Sequence, residues 1–140
     1  MTITAGHHPR ILVVCGPTGI GKTRVGIALA RQFEGEIVGA DSMQVYRRMD
    51  IGTAKPTDAE RAQAPHHLID VVDPDDPFDA ADYARLAKAV VADIHRRDRL
   101  PIVVGGTGLY IKALLYGLFP IPSPPQDIRD RLKADAEENG

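Results

Sequence analysis

The segment GPTGIGKT, residues 16–23, constrains the fold of this 140-residue chain more than any other stretch. It has the pattern G-x-x-x-x-G-K-[ST], with the apolar run ILVVC before it and a helix-like sequence after it. A glycine-rich loop in this context turns successive backbone amides inward, where they and the positive helix end can bind a diphosphate or triphosphate. Chance recurrence of the four fixed positions is rare, on the order of once in a hundred chains of this size. The segment therefore predicts a P-loop.

The P-loop assigns phosphate binding to eight consecutive residues. We expect Lys22 to reach a terminal phosphate and the Thr23 hydroxyl to ligate Mg²⁺. The complete predicted binding run is Gly16, Pro17, Thr18, Gly19, Ile20, Gly21, Lys22 and Thr23. This motif indicates the class of ligand and leaves the reaction open.

Strand-like and helix-like segments alternate along the chain. The segments 10–16 and 101–106 are short, β-branched and bounded by glycine, which is typical of strands buried on both faces of a parallel sheet. Weaker strand patterns cover 36–41 and 66–72, and helical patterns cover 22–33, 79–97 with Asp79 as the cap, and 108–117. The alternation predicts an α/β fold, a P-loop NTPase-like doubly wound parallel sheet with ligands at the carboxyl ends of its strands.

One acidic residue follows a predicted strand. Many P-loop enzymes place a second carboxylate at the end of a neighbouring strand, where it helps to hold Mg²⁺ or a water molecule. The strand PIVV runs into GGTG without an acid, whereas EIVGA runs into Asp41. We expect Asp41 to face the P-loop. The competing interpretation is that Asp41 caps a turn, because the sequence ADS also suits a turn.

Composition excludes some classes of protein. The chain is 44% hydrophobic and 26% charged, has no apolar run near the roughly 18 residues of a membrane span, and begins without the apolar core of a signal peptide. We therefore expect a cytoplasmic, monomeric protein with no membrane partner. The net charge of −2 gives no overall attraction for nucleic acid, so RNA binding would need a local basic surface.

The single cysteine, Cys15, is predicted to be a buried, unreactive thiol.

Other conspicuous residues favour structural interpretations. His66 and His67 are adjacent, so on an extended segment they point to opposite faces and do not form a metal site. The basic run HRRDR, residues 95–99, suits a helix end and is a weaker RNA-binding candidate. Lys55 in the segment IGTAKP has no role that its spacing explains.

The C-terminal part of the sequence changes in character. Four prolines fall within residues 119–127, which predicts an extended connector. The segment after it places Ile128, Leu132 and Ala136 four residues apart on an otherwise charged helix. We divide the chain into a core at 1–119, a connector at 120–125 and the start of a helical region at 126–140.

Four segments, in order and spacing, resemble the tRNA dimethylallyltransferases, also called tRNA isopentenyltransferases or the IPP transferase family. They are GPTGIGKT, ADSMQVYRRMDIGTAKPT, HHLIDVVDP and PIVVGGTGLYIKALLYG, and the resemblance runs from about residue 10 to residue 140. DSMQVY, IGTAKP and GGTGLY together are not shared by P-loop kinases generally. The resemblance implies transfer of a dimethylallyl group from dimethylallyl diphosphate to the exocyclic amine of the adenosine beside the tRNA anticodon, with Mg²⁺.

The resemblance also implies roles for individual residues. The P-loop would hold the donor diphosphate, Asp41 would act as the general base, and Thr107 would orient the target base. Contacts with the tRNA anticodon stem–loop would come from Asp41, Ser42, Met43, Gln44, Thr107 and Arg129. Because family members are considerably longer, the chain is expected to be an N-terminal part of such an enzyme, with 126–140 starting the tRNA-binding region. We therefore expect this chain to bind the prenyl donor, and we do not expect these residues alone to catalyse the transfer.

Three alternatives stay open at this point. A nucleotide or shikimate-type kinase, which binds ATP, has the same loop, although FPIPSPPQD is not the arginine-bearing lid such kinases need. A second alternative is a module that binds diphosphate without turnover. Within the prenyltransferase interpretation, free adenylate could replace tRNA as the acceptor.

Overall fold

Four parallel strands form the central sheet of the protein, whose computed structural model describes residues 10–118 and 125–139. The strands are β1 (Leu12–Cys15), β2 (Gly35–Gly39), β3 (His66–His67) and β4 (Leu100–Gly105). Their order is β1-β4-β2-β3, and every pair is parallel. The predicted α/β fold with a parallel sheet is confirmed, and the carboxyl ends of β1, β2 and β4 meet at one edge.

Five helices accompany the sheet in the described residues: α1 (Lys22–Gln32), α2 (Asp58–Arg61), α3 (Ala80–Arg96), α4 (Gly108–Tyr116) and α5 (Gln126–Asn139). The three predicted core helices are confirmed to within a residue or two. The Asp79 carboxylate accepts from the amide of Asp82, and the Asp82 carboxylate accepts from the amide of Asp79, so α3 begins with a reciprocal capping box. The four-residue α2 is too short to show periodicity, and its signal was the pattern T-x-x-E of Thr57 and Glu60.

Helices cover both faces of the sheet. On one face α3 and α4 pack against Val38 and Val103, and on the other α1 packs against Ile37 and Ile102. A Cβ on Gly26 would lie 2.7 Å from Cγ2 of Val104, so only a glycine lets α1 approach β4 this closely. Tyr83 of α3 stacks on Tyr110 of α4 with ring centroids 4.4 Å apart, which joins these two helices.

Two sequence predictions about the strands were wrong. Cys15 is exposed because it ends β1, which is an edge strand of the described sheet, paired only with β4. The strand predicted over 66–72 is limited to His66–His67 because Leu68 and Asp70 adopt positive φ angles of 62° and 58°. Residues 70–72 then pair with residues 44–47 through backbone hydrogen bonds that include an isolated parallel bridge between Tyr46 and Val72.

A buried carboxylate occupies the amino end of the sheet. Glu36 of β2, whose side chain is 3% exposed, accepts from Arg97 and forms ion pairs with Arg99 and His67. The hydrogen bond from Arg97 outweighs burial and, with His67, lowers the pKa of Glu36 to about 2. Two members of the basic run 95–99, Arg97 and Arg99, thus serve this structural network, as does His67. The His66 ring contacts the Ala64 carbonyl.

The C-terminal helix is confirmed, and its side chains are exposed along the described length of α5. Residues 120–124 of the predicted connector 120–125 lie outside the described residues, so the domain boundaries stay predictions. Within 10–118 and 125–139, no helix combines the length and the apolar character needed to cross a bilayer.

Candidate functional site

A cavity of about 290 Å³ opens at the carboxyl edge of the sheet. The P-loop and the start of α1 form one wall, and the segments that follow β2 and β4 form the others. The lining residues are Thr18, Gly19, Gly21, Lys22, Thr23, Arg24, Asp41, Gln44, Ala54, Glu60, Val104 and Gly105. The structure therefore brings five of the eight predicted P-loop residues, together with Asp41, to one cavity.

The loop between β1 and α1 has the backbone conformation that its glycines allow. Gly19 and Gly21 have φ angles of 85° and 91°, in the region that favours glycine, and Gly21 is the N-cap of α1. The Lys22 ammonium donates to the carbonyl of Pro17, within the same loop. The N-terminus of α1, Lys22 and Thr23 therefore lie on one side of the cavity, where an anionic group would meet positive charge.

The ends of β2 and β4 lie unusually close together. A Cβ on Gly105 would lie only 2.1 Å from the carbonyl oxygen of Ala40, so a side chain at Gly105 would collide with backbone. The amide of Ala40 donates to Val104 at 2.9 Å, and the amide of Thr107 donates to Ala40 at 3.1 Å. These contacts hold the residue after Ala40, which is Asp41, beside the end of β4.

Asp41 caps the turn that follows β2. Its Oδ1 accepts from the amides of Met43 at 2.8 Å and Gln44 at 3.1 Å, so the turn cap indicated by the sequence ADS is present. Asp41 also lines the cavity. A carboxylate has two oxygens, so capping by Oδ1 is compatible with a second role for Oδ2.

Thr107, which lies between β4 and α4, also contacts the turn that follows β2. Its Oγ1 accepts from the amide of Ser42 at 2.9 Å and donates to Oγ of Ser42 at 3.3 Å. The hydroxyl that was predicted to orient a bound base is therefore engaged with Ser42. The predicted catalytic residues Asp41 and Thr107 lie on two segments that are hydrogen-bonded to each other.

We expect Thr107→Val to destabilise the protein by about 1–2 kcal/mol, because the half-buried amide of Ser42 loses its acceptor. Thr107→Ser, which keeps the hydroxyl, is the matched control. Urea unfolding followed by circular dichroism measures both variants. A loss of stability in Thr107→Ser but not in Thr107→Val would mean that the methyl group, and not the hydrogen bond, carries the effect.

Gln44 lines the cavity beside Asp41. Its side-chain amide donates to the carbonyls of Thr53 at 2.9 Å and Ala54 at 3.1 Å. Because these hydrogen bonds hold residues 53 and 54 against Gln44, Ala54 also lines the cavity.

Sequence reasoning missed five lining residues: Arg24, Ala54, Glu60, Val104 and Gly105. Arg24 directly follows the P-loop motif in the first turn of α1, so the motif itself was a signal for it. Ala54 lies in an irregular segment whose path no periodicity reveals. Glu60 lies in the short helix α2, and Val104 and Gly105 end β4, so their approach to the cavity depends on how these elements pack.

Several predicted residues lie elsewhere. Gly16, Pro17, Ile20, Ser42, Met43 and Thr107 do not line the cavity, although they belong to its loops or adjoin them. Arg129 lies on the exposed helix α5. The roles proposed for all of these residues stay predictions.

Oxygen donors suited to Mg²⁺ are present in the cavity lining. In the described parts of the chain, no three His, Cys, Asp or Glu side chains cluster as a metal site. A magnesium ion that is shared with a bound diphosphate needs few protein ligands, however, because phosphate oxygens and waters complete its shell. Thr23 and Asp41, which both line the cavity, fit that requirement.

Comparison with known proteins gives consistent matches. A family profile described as IPP transferase matches residues 44–140. The tRNA dimethylallyltransferase of Desulfosudis oleivorans is 58% identical over 140 residues, which are 100% of this chain and 45% of that protein. The tRNA dimethylallyltransferase 1 of Pelobacter propionicus is 56% identical over 138 residues, which are 99% of this chain and 45% of that protein. The chain thus spans about 45% of the length of these curated relatives.

Solved structures agree with these sequence matches. The crystal structure of the full-length tRNA isopentenylpyrophosphate transferase of Bacillus halodurans superposes with a TM-score of 0.78 at 43% identity, covering 94% of this chain and 44% of that one. A eukaryotic dimethylallyltransferase studied while acting on tRNA superposes with a TM-score of 0.79 at 34% identity, covering 91% of this chain and 33% of that one. The arrangement of strands and helices described above is therefore the arrangement found in these transferases.

Proposed function

This chain belongs to the IPP transferase family, and we propose from that premise that it binds a prenyl diphosphate and carries acceptor-activating residues of a tRNA dimethylallyltransferase. The proposed reaction transfers a dimethylallyl group from dimethylallyl diphosphate to the exocyclic amine of the adenosine beside the tRNA anticodon. One observation carries the proposal: a single cavity is lined by Lys22 and Thr23 of the P-loop and by Asp41 at the end of β2.

The donor side of the cavity stabilises the leaving group. As the allylic C–O bond breaks, negative charge grows on the departing diphosphate. Lys22, the loop amides and the N-terminus of α1 supply fixed positive charge and hydrogen-bond donors where that charge develops. Mg²⁺ held by Thr23 and the diphosphate oxygens would add to this stabilisation when bound.

Asp41 serves the acceptor side in the proposed reaction. The exocyclic nitrogen attacks the allylic carbon, forms the new C–N bond and must lose one proton. Asp41 accepts that proton as the general base. Because the amides of Met43 and Gln44 hold its Oδ1, the carboxylate is fixed while Oδ2 is available for the proton. The adenosine must leave its stack to reach this position, as bases do in other enzymes that act on them.

The remaining assignments follow from the same proposal. Residues 126–139 would belong to a helical region that binds tRNA, where Arg129 makes one contact. Ser42, Met43, Gln44 and Thr107 would lie near the target base of the anticodon stem–loop. We propose that the protein acts in the cytoplasm as a monomer.

Calorimetric titration tests the donor assignment. The chain is titrated with dimethylallyl diphosphate, inorganic pyrophosphate and ATP, each with Mg²⁺. We expect the prenyl diphosphate to bind most tightly. A preference for ATP would favour a small-molecule kinase, and equal binding of pyrophosphate and the prenyl diphosphate would mean that the prenyl group is not recognised.

We expect Asp41→Asn to separate donor binding from transfer. The asparagine carbonyl oxygen can still accept from the amides of Met43 and Gln44, so donor affinity should stay within about twofold. The asparagine cannot take a proton, so in a full-length transferase that carries the change, transfer to an anticodon stem–loop RNA should slow by about 10²- to 10⁴-fold. A single-turnover assay measures the rate, with the exposed Asp98→Asn as the control. An unchanged rate would remove Asp41 as the general base.

A further inference from the structure

Lys55 is a buried lysine in the segment IGTAKP, for which the sequence offers no role. Its side chain is 9% exposed, and its ammonium donates to the carbonyl of Tyr46 at 2.7 Å, to Asp50 at 2.8 Å and to Asp70 at 2.6 Å. These three acceptors use all three hydrogens of the ammonium. Burial alone would lower the pKa of Lys55, but the bonds with Asp50 and Asp70 outweigh it and raise that pKa, so the group stays charged.

The contacts of Lys55 all lie in the irregular segment between β2 and α3. Asp70 accepts from Lys55 with Oδ1 and from Arg61 with Oδ2 at 3.0 Å, so the lysine connects the loop before it to the chain after β3. None of these partners belongs to the two hydrophobic clusters that pack on the sheet. Loss of the ammonium should therefore loosen this segment more than the core.

The residues next to Lys55 reach the cavity. The carbonyls of Thr53 and Ala54 accept from the side chain of Gln44, and the amide of Gln44 donates to Asp41. Ala54, Gln44 and Asp41 line the cavity, whereas Lys55 does not. Lys55 is thus joined by the backbone to Ala54 and Thr53, and hydrogen bonds run from their carbonyls through Gln44 to the carboxylate of Asp41.

We propose that Lys55 is a positioning residue that holds the Gln44–Asp41 wall of the cavity, and so serves the acceptor step and not the binding of the donor. It connects Tyr46, Asp50 and Asp70 at one point, which fixes where Thr53 and Ala54 present their carbonyls to Gln44. The P-loop is built from the loop after β1 and contributes no partner to Lys55. The inference rests on the proposed function for the role of Asp41.

Lys55→Met, which keeps the length of the side chain and removes its charge, tests the proposal. Amide hydrogen exchange measured by NMR should become about tenfold faster or more at Gln44 and Val45, while the core amides of Val38 and Val103 keep their rates. Affinity for dimethylallyl diphosphate should stay within about twofold, because the donor side is untouched. The exposed Lys88→Met on α3 is the matched control and should change neither quantity.

Two further variants, Lys55→Arg and Asp70→Asn, distinguish a role in positioning the cavity wall from a role in the stability of the whole fold. Lys55→Arg keeps the charge and should restore part of the protection at Gln44. Asp70→Asn removes one partner and should reproduce the local loss, and it decides the matter by the same readouts if Lys55→Met does not fold.

Two results would overturn the proposal. One is unchanged exchange at Gln44 and Val45 in both Lys55→Met and Asp70→Asn. The other is exchange that rises equally in the core, which would show a purely structural role. The exchange readout needs no donor, so a chain that fails to bind prenyl diphosphate but shows the local change would contradict the proposed function alone.

Discussion

Replacing Lys22 with alanine is expected to weaken binding of dimethylallyl diphosphate by about 10- to 100-fold. A charge-assisted hydrogen bond contributes about 1.5–3 kcal/mol, and each 1.4 kcal/mol is about a tenfold change in affinity. The Lys22 ammonium already lies within the P-loop, on the carbonyl of Pro17, so little reorganisation is needed for it to meet a phosphate. The fold should be preserved because neither hydrophobic cluster includes Lys22.

Calorimetric titration of the variant with Mg²⁺ present measures this loss. The exposed Lys112→Ala on α4 removes the same charge away from the cavity and should bind normally. Lys22→Arg keeps the charge with a different donor geometry, so an intermediate affinity is expected. Normal affinity of Lys22→Ala would place the diphosphate somewhere other than the P-loop.

Glu36→Gln is expected to lower the free energy of unfolding by about 2–3 kcal/mol, because the buried carboxylate loses the charge that Arg97 and Arg99 stabilise, as its lowered pKa indicates. Oε2 of Glu36 lies 2.7 Å from Nε2 of His67 and 2.9 Å from Arg97, and Oε1 lies 3.2 Å from Nε of Arg99. A glutamine has similar shape but no charge to balance two guanidinium groups. Urea unfolding at pH 7 measures the difference, with the exposed Glu34→Gln as the control.

The contribution of Glu36 should depend on pH in a defined direction. Its pKa is lowered from the ordinary 4.5 to about 2 in the folded protein. A carboxyl group whose folded pKa is depressed stabilises the fold fully above its unfolded pKa and loses that effect as the pH falls through the folded pKa. The difference between Glu36→Gln and the unsubstituted protein should therefore shrink as the pH falls from 4.5 towards 2. A difference that stays constant over this range would contradict the assigned pKa.

The elements predicted from local signals agree with the structure. The Asp79 cap and the apolar spacing after it are encoded within a few residues, so α3 could be placed almost to the residue. The P-loop context likewise placed Lys22 and Thr23 at a cavity, and the strand before Asp41 brought that carboxylate to the same cavity.

Features that depend on distant contacts could not be predicted. The exposure of Cys15 depends on which strand lies at the sheet edge, and the apolar sequence of β1 is the same in either position. The wall formed by Gln44 and Ala54, and its link to Lys55, depend on hydrogen bonds within an irregular segment, where no period of 2 or 3.6 residues reports the path. The family resemblance implied a role for Thr107 at the target base, but its hydrogen bond with Ser42, 65 residues earlier in the chain, could not be predicted from the sequence.

Strand β2 carries its two carboxylates at opposite ends, with Glu36 near its start and Asp41 just beyond its finish. The five residue steps between them span about 16 Å of extended chain, and the intervening residues are uncharged and buried. An engineer could therefore redesign the amino end without touching the chemistry at the carboxyl end. Because the side chains of Arg97 and Arg99 are 42% and 37% exposed, polar uncharged residues would suit their positions, whereas the buried position of Glu36 could take an apolar residue. Such a redesign would leave every residue of the cavity lining unchanged.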